Sequence, residues 1–159
     1  MKIVYESQTG FTERYANMLG KRLGIETIKL KDYPAQEEKE EIIFISWVCA
    51  NSIKKYSKVK EKYNIKCIGA VGMAENTDNY TKSLITSNKT GDIPLFYLRG
   101  GVNFQKLKGL SKFIMKAITK NEIKKHKIEG DPEKVFAAGR DYVKEENLDA
   151  MSEYIKGKR

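Results

Sequence analysis

The sequence predicts an α/β domain in which strands and helices alternate around a mostly parallel sheet. Short runs of strand-forming residues recur along the chain, and segments with helical spacing of apolar residues separate them. Two of the runs, 42–48 and 65–73, are almost continuously apolar. A run of that kind is typical of a parallel strand that helices cover on both faces.

The predicted elements follow one another in a regular order. Strands are expected at residues 2–6, 25–30, 42–48, 65–73 and 93–98. Between and after them, helices are expected at 11–23, 52–63, 79–87 and 109–120. A last helix carries Leu148, Met151 and Ile155, and Asn147 can cap it. This alternation favours a doubly wound sheet with helices on both faces.

Length and composition indicate one globular domain. The chain has 159 residues, of which 40% are hydrophobic and 32% charged, which is enough apolar side-chain material for a core. We expect a single domain over residues 1–159. An extra basic helical segment at about 104–146 precedes the last helix.

Several classes of site and location are not supported. Cys49 and Cys67 form no C-x-x-C pair and His126 is the single histidine, so neither a disulfide framework nor a metal site is predicted. No cluster of side chains suggests catalytic residues. No apolar run approaches the roughly 20 residues that span a bilayer, and no targeting segment opens the chain. The expected location is the cytoplasm.

The most informative segment is Ser7-Gln8-Thr9-Gly10-Phe11-Thr12, between the first strand and the first helix. Its hydroxyl groups can donate hydrogen bonds to phosphate oxygens, and Gly10 allows a tight turn close to an anion. Backbone amides of the turn and the helix N-terminus point to the same place. The alternative for this segment is an ordinary hydroxyl-rich helix cap.

This segment resembles the phosphate loop of flavodoxins, Thr/Ser-x-Thr-Gly-x-Thr, and the order of strands and helices is similar to that family along most of the chain. The resemblance implies a five-stranded parallel sheet of order 2-1-3-4-5 and flavin mononucleotide (FMN) as cofactor. It makes residues 46–51 and 72–76 the second and third flavin loops, with Tyr80 near the third. The flavin contacts that it implies are Ser7, Gln8, Thr9, Gly10, Phe11, Thr12, Ser46, Trp47, Val48, Cys49, Ala50, Gly72, Met73, Ala74 and Asn76.

Trp47 is the candidate to lie against the flavin ring; the alternative is that Trp47 is a core residue at a strand end.

Two features depart from typical flavodoxins: the net charge is +9, and sequence is added between the fifth strand and the last helix. Both features resemble those of the flavodoxin-like menaquinone-dependent protoporphyrinogen oxidases. The segments 98–107 and 112–116 also resemble the corresponding part of that family.

The helix predicted at 109–120 carries a stripe of apolar residues, with Lys112, Lys116 and Lys120 opposite it. The stripe consists of Leu110, Phe113, Ile114, Ala117 and Ile118. We expect the stripe to cover the sheet, since amphipathic helices usually cover cores. Contact with anionic membrane would then rest on charge alone, and it would be weak and abolished by salt. The alternative is a helix that docks on the inner face of the membrane.

Three functions are consistent with these observations. The first is an FMN electron carrier that works with a redox partner protein. The second is an FMN-dependent oxidoreductase with a quinone acceptor. The third is a phosphate-binding or nucleic-acid-binding module on the same fold, because fold alone does not determine function; no nucleic-acid partner is expected.

Overall fold

The computed structural model of the chain describes residues 1–34, 39–126, 134 and 139–157. Its strands are β1 Lys2–Glu6, β2 Thr27–Lys29, β3 Glu41–Cys49, β4 Ser52–Ile53, β5 Asn64–Gly72, β6 Leu95–Arg99, β7 Gly101–Val102 and β8 Arg140–Asp141. Its helices are α1 Phe11–Leu23, α2 Tyr56–Lys62, α3 Asp78–Asn88, α4 Gly109–His126 and α5 Asp149–Gly157. Strands and helices alternate, which confirms the predicted α/β class.

The central sheet has the predicted order. Five parallel strands are arranged as β2-β1-β3-β5-β6, which is 2-1-3-4-5 when these five alone are counted. Their carboxyl ends meet at one edge of the sheet. The residue pairs at that edge are Glu6 with Ser46, Trp47 with Val71, and Gly72 with Arg99.

The segment after β3 differs from the helix predicted over 52–63. Ala50 and Asn51 have φ of 48° and 59°, so the chain reverses in a two-residue hairpin turn, for which positive φ at both positions is typical. Ser52–Ile53 then pairs antiparallel with the end of β3, and α2 begins only at Tyr56. Ile53 is buried like Tyr56 although it lies in a strand. Its apolar side chain therefore fits the helical spacing in the sequence and extends the predicted helix too far toward the N-terminus.

Helices cover both faces of the sheet. On one face α1 and α5 contribute residues such as Leu19 and Ile155 to an apolar cluster. On the other face α2 and α3 contribute Val59 and Leu84 to a second cluster. The central strand β3 supplies side chains to both clusters, because successive residues of a strand point to opposite faces.

Asn147 does not cap the last helix. A 3₁₀ turn at Glu145–Leu148 precedes α5, and the Asn147 amide nitrogen lies 2.5 Å from the Tyr15 hydroxyl and 3.1 Å from the Tyr142 carbonyl oxygen. The Tyr15 hydroxyl donates to the carbonyl of Arg99 at 2.5 Å. These bonds tie α1 and the end of β6 to the segment that leads into α5.

The extra segment contains a ribbon and a helix. β7 follows β6 almost directly and pairs antiparallel with β8. Helix α4 is longer than the predicted 109–120, since it reaches His126. Residues 127–133 and 135–138 of the predicted segment, Lys127 among them, lie outside the described residues.

The expectation that the apolar stripe of α4 covers the sheet is wrong. Leu110, Phe113, Ala117 and Ile118 are exposed, and Ile114 faces a cavity rather than the sheet core. The reason is that the helix lies beyond the carboxyl edge of the sheet, whose two faces α1, α5, α2 and α3 already cover. Among the described residues, no helix combines the length and apolar character that crossing a bilayer requires.

Substitution of Met151 tests how much the packing of α5 contributes to the stability of the fold. Its side chain is fully buried, so Met151→Ala is expected to lower the free energy of unfolding by about 2–5 kcal/mol. Urea denaturation followed by circular dichroism measures this. The control is Lys156→Ala, on the exposed face of the same helix, which should change stability by no more than about 0.5 kcal/mol. Equal effects of the two variants would contradict the packing of α5.

Candidate flavin site

A cavity of about 840 Å³ opens at the carboxyl edge of the sheet. The segments after β1, β3, β5 and β6 line it, and α4 closes one side. The volume is in the range of small-molecule sites, roughly 300–1,000 Å³. Open parallel sheets bind ligands at this edge, where the strand order reverses. The reversal here falls between β1 and β3.

The segment after β1 turns tightly into the N-terminus of α1. Gly10 has φ of 99°, a backbone conformation that residues other than glycine rarely adopt. A Cβ at Gly10 would meet no atom within 4 Å, and the Gly10 amide donates to Ser7 Oγ at 3.1 Å. The first-turn amides of α1 have no acceptor within the helix, so they are available to an anion. The residues of this segment that line the cavity are Gln8, Thr9, Phe11 and Thr12.

The segment after β3 is the hairpin at Ala50 and Asn51. It is braced from α3, because the Asn88 side chain accepts from the Ile53 amide and donates to the Asn51 carbonyl, both at 2.8 Å. The Lys54 ammonium lies 5.4 Å from the centre of the Trp47 ring. Residues that line the cavity here are Trp47, Val48, Cys49, Ala50 and Asn51.

The segment after β5 contributes Gly72, Met73, Ala74 and Glu75 to the cavity wall. Tyr97 donates to the Ala74 carbonyl at 3.0 Å and packs edge-on against Tyr80, with ring centres 4.9 Å apart. Burial raises the pKa of both phenols. Both therefore stay protonated at neutral pH, and Tyr97 keeps its hydrogen bond to the loop.

The structure brings eleven of the fifteen predicted residues to the cavity wall, and four are elsewhere. Ser7 and Gly10 shape the first turn without lining the cavity. Ser46 is fully buried and donates to the Lys54 carbonyl at 2.7 Å. The Asn76 amide nitrogen lies 3.5 Å from the carbonyl oxygen of Tyr97. These four support the loops from outside the cavity.

A polar wall that the sequence did not predict follows β6. Arg99, Arg140 and Tyr142 line the cavity, and the Arg99 guanidinium lies 4.0 Å from the centre of the Tyr142 ring. Arg140 Nη1 lies 3.4 Å from the Tyr142 hydroxyl. Pairing of β7 with β8 brings these residues together, and no local sequence pattern indicates that pairing.

The extra segment also contributes an apolar wall to the cavity, which the sequence did not predict. Val102, Phe104 and Leu107 form a small buried cluster, against which Met73 and Met115 pack. Helix α4 continues this wall with an inward row of side chains. The α4 residues that line the cavity are Ile114, Met115, Ile118, Thr119 and Ile123.

The ribbon is held close to α1. A Cβ at Gly101 would overlap the Arg140 carbonyl and the Phe11 ring, so only glycine permits this approach. Arg14 and Asp141 form an ion pair at 2.6 Å. Burial raises the pKa of Asp141, but the hydrogen bonds from Arg14 and the Val143 amide, with the Arg14 charge, outweigh that effect and lower it.

Unpaired polar atoms concentrate at the cavity. In the described part of the chain, four buried side-chain polar atoms have no hydrogen-bond partner, and three of them belong to cavity residues: Gln8 Oε1, Trp47 Nε1 and Arg99 Nε. Buried polar groups are normally paired, so each such atom calls for an explanation. These three atoms are themselves shielded from solvent, so a ligand in the cavity would pair with them only if the side chains moved.

The two thiols have different surroundings. Cys49 lines the cavity, whereas Cys67 is buried in the sheet, and burial raises the pKa of its thiol to about 12. Within the described ranges, no group of three or more histidine, cysteine, aspartate or glutamate side chains is placed to hold a metal ion.

A protein-family model described as a flavodoxin domain matches residues 2–129. No curated protein and no solved structure matches the chain. The matched range contains the five parallel strands and the three loops that line the cavity. It leaves out β8 and α5.

Proposed function

This chain belongs to the flavodoxin domain family, and we propose that it binds FMN in the cavity at the carboxyl edge of the sheet and transfers electrons through it. Membership of the family indicates a flavin-binding redox protein. The observation that carries the proposal is the convergence of three loops, after β1, β3 and β5, on one cavity.

The phosphate end of FMN fits the turn before α1. Backbone amides, the Thr9 and Thr12 hydroxyls and the positive end of the helix dipole would bind it there. Gly10 leaves open space where another residue would place a Cβ. The loop itself contains no cation, and Arg99 and Arg140 supply positive charge to the same cavity.

The ring end fits the two loops beyond it. The hairpin with Trp47 and the segment Gly72–Ala74 present apolar surface and backbone polar groups to the cavity. Asn88 and Tyr97 hold these two loops in place through their hydrogen bonds. Bound FMN would supply the electron-transfer chemistry, and the residues of this chain bind it, orient it and exclude water.

A second function is favoured by the apolar wall of α4. A carrier that only exchanges electrons with a protein needs the flavin edge to be accessible. Here Met115, Ile118 and Ile123 add apolar surface to the cavity beyond the three loops. Such a wall suits a flat, apolar reactant, so the second candidate is an FMN-dependent oxidoreductase of the protoporphyrinogen oxidase type with a quinone acceptor.

Replacement of Gly10 tests the phosphate site. Gly10 lies in the turn assigned to the phosphate without lining the cavity, so Gly10→Asp brings a carboxylate close to that anion; at about 4 Å two such charges repel by roughly 4 kcal/mol. The expected result is a folded, colourless protein whose Kd for FMN is raised about a thousandfold, as measured by absorbance and titration of the apoprotein.

Gly24→Asp is the matched control. Gly24 also has positive φ, 64°, and open space at the Cβ position, but it lies at the other end of α1. It therefore places the same charge at a positive-φ glycine of the same helix without touching the cavity, and it should keep its FMN. If Gly10→Asp keeps as much flavin as Gly24→Asp, the phosphate is bound elsewhere.

Trp47 reports on the ring position. It is the single tryptophan and lines the cavity, so bound FMN should quench most of its fluorescence, and emission should return when the flavin is removed. Gly10→Asp mixed with the same FMN concentration corrects for light absorption by free flavin. Equal emission from the apo and holo forms would place the ring away from Trp47.

Ile114→Gln distinguishes the two candidate functions. If the α4 wall binds a quinone, the variant should raise KM for oxidation of the reduced protein by a water-soluble quinone about tenfold. Oxidation by ferricyanide should be unchanged, since this small anion needs no apolar site. The control is Leu110→Gln, an exposed residue on the same helix that does not line the cavity. An unchanged quinone KM in Ile114→Gln favours the carrier.

A further inference from the structure

Helix α4 exposes large apolar side chains to solvent. Leu110 and Phe113 are 73% and 74% exposed. In the part of the chain that the structure describes, four large apolar side chains are exposed, and α4 holds three of them, these two and Ile118. A patch of this kind on one element marks an interaction site rather than ordinary surface.

Leu110 and Phe113 lie on one face of the helix, whereas Ile118 lines the cavity. At 3.6 residues per turn, Leu110, Phe113 and Ala117 form one part of the apolar stripe, here called the outward stripe. It is directed away from the cavity that Ile114 and Met115 line. The stripe becomes basic in the second half of the helix. Lys120 and Lys124 each follow, seven positions later, the apolar residues Phe113 and Ala117, and both are exposed.

One flank of the stripe is basic as well. Lys112 is exposed and Lys116 is half-buried, and at helical spacing Lys116 lies between the outward stripe and the cavity-facing row. Helix α4 contains five lysines and a single acidic residue, Glu122. The outward face of α4 therefore combines apolar side chains with positive charge.

We propose that the outward face of α4 docks on an anionic lipid surface, with Leu110 and Phe113 inserted at the boundary of the acyl chains and the lysines among the headgroups. Exposed apolar side chains next to basic residues on a helix favour binding in the membrane interface, and anionic lipid attracts basic residues close to its surface. A second copy of this chain fits less well, because it would bring two lysine-rich faces together.

Docking in this orientation has a consequence for the cavity. The inward side chains of α4 form the apolar wall, and Ile118 belongs to this inward row although it is 44% exposed. The helix therefore separates the cavity from the lipid by its own thickness. Docking itself does not require bound flavin, so the docking proposal can be tested independently of the proposed cofactor.

Vesicle flotation of the full chain tests the proposal. The vesicles contain phosphatidylcholine alone or mixed with phosphatidylglycerol, at low salt and at about 1 M salt, where the screening length falls to roughly 3 Å. We expect binding to the mixed vesicles at low salt, and a measurable fraction that remains at high salt because it rests on apolar insertion.

Two sets of variants separate insertion from charge. Phe113→Ser should lower the salt-resistant binding about tenfold or more, and Leu110→Ser should act in the same direction. The double variant Lys120→Gln with Lys124→Gln should weaken binding at low salt. Its control, Lys58→Gln with Lys62→Gln, removes the same charge from exposed positions on α2 and should bind like the wild type.

Three results would overturn the proposal. The first is wild-type binding that high salt abolishes, which is the charge-only outcome. The second is salt-resistant binding that Phe113→Ser leaves unchanged. The third is a dimer in sedimentation without lipid that Phe113→Ser converts to a monomer, which would make the stripe a protein interface. Flavin content, measured on each sample by absorbance, shows separately whether the proposed cofactor site is intact.

Discussion

The cavity depends on the parallel pairing of β3 with β1 on one side and β5 on the other. Ile42, Ile43, Phe44 and Ile45 of β3 are fully buried, and burial of each such side chain contributes about 1.5–3 kcal/mol. This apolar strand holds the carboxyl ends of its neighbours at one level of the sheet. Since each residue of a strand advances the chain by about 3.3 Å, a shift of one register position would already separate Trp47 from the loop after β5.

The loops on this edge are held by side chains that do not themselves line the cavity. Asn88 braces the hairpin from the end of α3, and Tyr97 holds the loop after β5 from within β6. Asn147 and Tyr15 secure the end of β6, where the ribbon starts. The cavity is thus formed by backbone turns whose positions are set by buried hydrogen bonds, which suits a site that must hold a ligand in one orientation.

The added segment changes the character of the site. The three loops alone would leave a groove at the sheet edge, and the ribbon and α4 add a polar wall with two arginines and an apolar wall beside it. The positive side chains Arg99 and Arg140 outnumber the acidic side chain Glu75 on the cavity wall. This arrangement favours an anionic ligand, in agreement with the net charge of +9.

The sequence by itself determined the features that depend on local chemistry. Continuous apolar runs predicted the buried strands, helical spacing predicted α1, α4 and α5, and Gly10 among hydroxyl residues predicted the turn before α1. Only the tertiary structure decided which distant residues meet, as Arg99, Arg140 and Tyr142 do, because strand pairing leaves no local pattern. It also decided which face of α4 is covered. The stripe from Leu110 to Ile118 has the spacing of a core-facing helix, yet both faces of the sheet are already occupied, so the helix lies at the sheet edge with apolar residues on two sides.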